Sequence, residues 1–151
     1  MYQFLVFLAV MSAAMLVGVM TMLLTVMRVM WRQQSDAAAA ASLHDFLRYA
    51  ATNRLLGTLG ILPVVCAIGI AFLGAPSATQ YVYSLVGGAV FLVGFFVWTA
   101  VFNLPIYKAV SQWDLTPTPP EARSIINRFH RANTVRLAAG CATTMLYFLA
   151  G

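Results

Sequence analysis

The stretch MYQFLVFLAVMSAAMLVGVMTMLLTVM, residues 1–27, carries no charged side chain and is followed by Arg28, Trp31 and Arg32. A helix needs roughly 20 apolar residues to cross a hydrocarbon core of ~30 Å, and this run is long enough. In lipid every backbone polar group must be satisfied within the span, which a helix does. The run has no basic region ahead of it and outlasts the ~7–15 apolar residues of a secretory signal. It therefore reads as a permanent membrane span closed by a basic and aromatic belt.

The rest of the chain repeats this logic. Of its 151 residues 62% are hydrophobic and only 9% charged, and the apolar residues fall into blocks a soluble domain could not hide. Spans are expected at about 4–27, 55–73, 82–102 and 135–150, leaving longer loops at 28–54 and 103–134. All nine basic residues lie in those two loops or at their edges: Arg28, Arg32, Arg48 and Arg54, then Lys108, Arg123, Arg128, Arg131 and Arg136. The short segment 74–81 has none. Under the positive-inside rule both longer loops face the cytoplasm and both termini face outward, as in a bacterial-type inner membrane.

The expected fold is thus all-α: one integral membrane domain over 1–151, a four-helix transmembrane bundle with two additions. Leu43, Phe46, Leu47 and Ala50 recur at helical spacing, which predicts a short interfacial helix in the first loop. The sequence LTPTPP at 115–120 interrupts the second loop, and an uninterrupted helical pattern from Glu121 makes the fourth helix long, starting in the cytoplasm. Small residues four apart, Ala14 and Gly18, Ala67 and Ala71, Gly140 and Thr144, allow helices to approach closely. Pro63 is expected to kink the second span.

Several function classes drop out. A net charge of +5 is explained by residues flanking the spans, so no nucleic-acid partner is implied. Cys66 and Cys141 lie in different apolar segments at different depths and form neither a zinc site nor a disulfide framework. No metal-ligand spacing, paired carboxylates or glycine-rich phosphate loop is present, and His44 and His130 lie outside the spans, unsuited to paired intramembrane haem ligation. With no acid inside a span, proton-coupled transport is a poor fit.

What remains is a set of polar residues at one membrane depth: Arg28, Asn53, Arg54, Asn103, Asn133 and Arg136. Asn133 and Arg136 are three apart and share a helix face, and Asn103 ends the third span just before Pro105. Amides and guanidinium groups supply many donors and few acceptors, suiting an anion, an enolate, a quinone carbonyl or a lipid phosphate. Arg28, Arg54, Asn103, Asn133 and Arg136 are the candidates for substrate or lipid binding, with convergence of Asn103, Asn133 and Arg136 the sharpest expectation. Taken singly, each is better explained by snorkelling or helix capping. His130 is the candidate base, although a solvent-facing position is the plainer expectation for it. The aromatics Phe91, Phe95, Phe96, Trp98 and Phe102 either line a pocket for a flat molecule or pack and meet lipid.

The run FNLPIYKAVSQW at 102–113, followed by RANTVRLAA at 131–139, resembles the anthrone-oxygenase-like family of small four-span membrane proteins. That family typically ends its third span on Asn-x-Pro-x-Asn and opens its fourth with Asn-x-x-Arg. Asn103 and Pro105 match the first element, Asn133 and Arg136 the second. Tyr107 stands where the second asparagine is usual, and Ala132 and Thr134 where tryptophan and histidine are common. The resemblance implies oxidation of anthrones to anthraquinones with no cofactor. Two functions follow: an oxygenase of a planar, lipophilic phenolic or quinone-like substrate, or a non-catalytic accessory or scaffold subunit of a larger membrane complex or homo-oligomer, docking a partner, membrane lipid or quinone through its arginine-rich face.

Overall fold

The computed structural model describes all 151 residues. They form five helices and no strand: α1 (Tyr2–Gln33), α2 (Asp36–Thr52), α3 (Arg54–Leu73), α4 (Ala78–Ser111) and α5 (Ala122–Ala150). Three of them, α1, α3 and α4, are long and apolar enough to cross a membrane. With 32 and 34 residues, α1 and α4 each reach ~50 Å at 1.5 Å per residue. They therefore continue past the expected span ends at Met27 and Phe102. Pro105 does not end α4, because it falls at the first turn of the straight segment Leu104–Ser111, after a wider turn at Thr99–Asn103. There its missing N–H breaks little.

The helix α5 differs from the other three. It is 29 residues long, but its first half is polar, and Asn133 and Arg136 restrict the apolar part to residues 135–150. It nevertheless completes the bundle. Helix α1 lies against α3 and α5, and α4 lies against the same two, so the four long helices form a ring. Around the ring the chain runs α1, α3, α4, α5. Helix α2 crosses the basic end, against α5 and the last turns of α4.

Local sequence sets the breaks. Ser35 caps α2 by accepting from the Ala38 N–H at 3.3 Å, with Asp36 in the positive first turn. Asn53 separates α2 from α3 and caps the latter through the Leu56 N–H at 3.1 Å, so this member of the polar set is a cap. Gly74 ends α3 at a φ of 75°, a backbone region that glycine adopts without strain. Ser77 caps α4 through the Gln80 N–H at 3.2 Å.

Three apolar clusters stack along the bundle. Val6, Ala9, Cys66, Ala67, Ile70 and Tyr147 fill the end near the termini; Leu16, Leu59, Phe91 and Phe95 fill the middle. A larger cluster around Leu23, Trp31, Leu43, Ile106 and Phe129 joins α1, α2, α4 and α5 at the basic end. Buried hydroxyls tie helices together: Tyr147 donates to the Pro63 carbonyl at 2.6 Å, and Thr143 to that of Gly87 at 3.2 Å. The outer surface is apolar, with Phe72 and Phe148 86% and 73% exposed. A continuous apolar surface of this kind suits lipid contact. Both cysteines are free thiols, Cys66 buried and Cys141 exposed.

Close approach depends on two glycines of α4. A Cβ at Gly88 would fall on Ala67 of α3, and one at Gly94 on Ala139 of α5. Gly94→Ala is expected to destabilise the bundle by about 1–3 kcal/mol, as overpacking does. Adding Ala139→Gly should restore most of the lost melting temperature in detergent. A single variant that melts like the wild type would show that α4 and α5 do not meet here.

Candidate functional site

At the basic end a cavity of about 850 Å³ opens between α1, α2, the start of α3, the second half of α4, and α5. Its body is apolar, built from residues such as Leu16, Met20, Leu23, Phe46 and Leu104. The size and the sparse polar groups match a small-molecule site. Wider turns of α4 at Leu92–Val97 and Thr99–Asn103 place Phe95 and Thr99 on the wall. Such turns often mark functional positions in long helices.

Arg136 is the central polar group. Its Nη1 donates to Asn133 Oδ1 at 2.8 Å and reaches the Tyr107 hydroxyl at 3.4 Å. Its Cζ lies 4.1 Å from the centre of the Phe95 ring, a cation–π contact. Asn133 Nδ2 donates to the Phe129 carbonyl at 2.8 Å, which turns the amide oxygen toward Arg136. Of the carboxylates, Asp36 pairs with Arg123 and Asp45 lies 3.7 Å from His44 Nδ1. Arg136 therefore has no acidic partner, and its Nε has no hydrogen-bond acceptor. A buried, uncompensated cation is costly, and an ionisable group at this depth is a functional candidate.

The other sequence candidates are distributed differently. Asn133 and Arg136 are joined and line the cavity. Asn103 is fully buried but does not line it, and neither atom of its amide makes a hydrogen bond. The three-residue convergence thus reduces to Asn133, Arg136 and Tyr107, the residue in the family's second-asparagine position. Arg28 and Arg54 lie outside the cavity wall. Of the five aromatics only Phe95 lines it; Phe91 stacks on Phe95 at 4.7 Å, and Trp98 Nε1 donates to the Ala132 carbonyl at 3.0 Å.

His130 is not solvent-facing. It is 3% exposed, with its ring centre 5.3 Å from that of Trp31 and 5.9 Å from that of Phe129. Burial, aided by the positive charges of Arg28 and Arg32, pushes its pKa down to about 4. It does not line the cavity, whereas His44 does. From the sequence His44 is only a histidine outside the spans, and the packing of α2 over the bundle brings it to the wall. Arg123 was also unread: it donates to the carbonyls of Trp31 at 2.7 Å and Gln34 at 3.0 Å and to Asp36 at 2.9 Å. It thus closes the negative end of α1 and fastens α2 to α5.

The sequence matches the model of one protein family, described as anthrone oxygenase, over residues 46–146. That stretch begins in α2 and includes every α4 and α5 residue of the cavity wall. Neither the curated proteins nor the solved structures gave a match.

Proposed function

The chain belongs to the anthrone oxygenase family, and from that premise we propose that it oxidises a planar, lipophilic phenolic or anthrone-like substrate with dioxygen inside the cavity at the basic end. The observation that carries this reading is Arg136: a half-buried guanidinium, its Nε enclosed, without an acidic partner on the wall of a largely apolar cavity. An anthrone has a methylene activated by a carbonyl across the central ring. Removing one methylene proton leaves an electron pair that delocalises onto the carbonyl oxygen. In this reading Arg136 holds that oxyanion, and preorganised donors of this kind stabilise developing charge strongly. His44, the histidine of the wall, is the proton acceptor.

The carbanion carbon then gives its electrons to dioxygen and bonds to it, forming a hydroperoxide once protonated. Loss of the remaining C–H proton and cleavage of the O–O bond expel water and leave the second carbonyl. The balance is one anthrone and one O₂ to one anthraquinone and one H₂O. Asn133 is a positioning residue in this scheme, because both ends of its amide are engaged by the protein. The protein in lipid nanodiscs should consume oxygen with anthrone in a one-to-one ratio to quinone, faster than the spontaneous reaction. A rate equal to the protein-free control would sink the enzymatic reading.

A further inference from the structure

The cavity wall carries charge of one sign. Arg48 comes from α2, Lys108 from α4 and Arg136 from α5. None of the four acidic residues of the chain lines it. Asp36 pairs with Arg123 and Asp45 lies beside His44, so Arg48 and Lys108 have no acidic partner. The cations also differ in depth. Arg136 is enclosed between Asn133 and the Phe95 ring, whereas Arg48 and Lys108 are exposed and belong to the mouth. They reach it from two sides, because α2 packs against the last turns of α4. A substrate whose only negative charge is the transient oxyanion needs Arg136 alone.

We infer that the substrate carries a second, permanently anionic group, a carboxylate, bound at the mouth by Arg48 and Lys108 while its ring system fills the cavity toward Arg136. The inference rests on the proposed reading of the cavity as an aromatic substrate site. The two contacts act at opposite ends of one planar body, so the mouth fixes which edge of the ring system enters first. The mouth cations are solvated, and their contribution is a matter of selectivity, modest in size and sensitive to salt.

Equilibrium binding of two oxidised, unreactive ligands tests this apart from catalysis: anthraquinone-2-carboxylate and its neutral counterpart anthraquinone-2-carboxamide, with the full chain in phosphatidylcholine nanodiscs. The wild type should bind the carboxylate roughly five- to tenfold tighter at low ionic strength, and the preference should fade in concentrated salt. In the double variant Arg48→Gln, Lys108→Gln the two ligands should bind alike, with carboxamide affinity unchanged. Equal binding by the wild type would overturn the inference and leave the proposed function standing. If soluble dihexanoyl-phosphatidylglycerol displaces the carboxylate but not the carboxamide, the mouth is a lipid-headgroup site and the inference also falls. If neither quinone binds, the aromatic reading of the cavity fails with it.

Discussion

Arg136→Lys is expected to lower anthrone turnover about 100-fold, the usual loss when one oxyanion donor is removed, while the protein accumulates normally. The two side chains carry the same charge, so a merely structural cation should tolerate the change. An ammonium ion has no planar fork. Lysine cannot sit over the Phe95 ring, accept the restraint of Asn133 Oδ1 and still present a second N–H edge to the substrate oxygen. In the wild type Nη1 is engaged by Asn133 at 2.8 Å and Tyr107 at 3.4 Å and Nε is enclosed, which leaves Nη2 for a ligand. Lysine's flexible stem also lets the charge snorkel toward the mouth, which would preserve stability and remove the donor from the reacting oxygen. Initial oxygen-uptake rates at saturating substrate, set against melting curves of the same preparations, give the result. A loss smaller than about fivefold with a normal melting curve would make Arg136 a helix-packing residue and remove the main support for oxyanion catalysis, for which a donor is worth at least ~100-fold.

Architecture was more legible in the sequence than the site. Blocks such as residues 1–27 admit one solution in lipid, and the break at 115–120 separates α4 from α5 as its prolines predict. The lengths of α1 and α4 were less legible, because hydropathy marks where a helix leaves the hydrocarbon and not where its hydrogen bonding stops. Helix α5 shows the converse: Asn133 and Arg136 weaken its apolar signal, yet it packs against α1 and α4 throughout the bundle. At the site, the Asn133–Arg136 pair was legible because three residues along one helix fix a shared face. The place of Tyr107, His44 and Arg123 was not, since each depends on contacts across the fold, Arg123 reaching Asp36 from 87 residues away. Asn103 misled for the same reason. Sharing a depth with Arg136 does not set the rotation of its own helix, and the wider turn at Thr99–Asn103 changes that rotation.

The bundle should lose stability in acid through His130. Its folded-state pKa of about 4 lies below the ~6.5 of an unperturbed histidine. Between those values the unfolded chain binds a proton that the folded chain does not, so stability falls as pH falls. The contribution is complete above about pH 6.5, declines toward pH 4, and changes no further below it, where both states are protonated. At 1.36 kcal/mol per pH unit the loss is on the order of 3 kcal/mol. The cause is visible around the ring: Trp31 and Phe129 enclose it, neither nitrogen has a hydrogen-bond partner, and Arg28 and Arg32 are the nearby charges. Protonation would put an uncompensated cation beside two others in the cluster that joins α1, α2 and α5. His130→Phe keeps an aromatic ring in the gap and removes the titration. The melting midpoint of the wild type should therefore drop by several degrees more than that of the variant between pH 7 and pH 4.5, in the same detergent. Parallel curves for the two proteins across that interval would mean that His130 is hydrated and titrates normally.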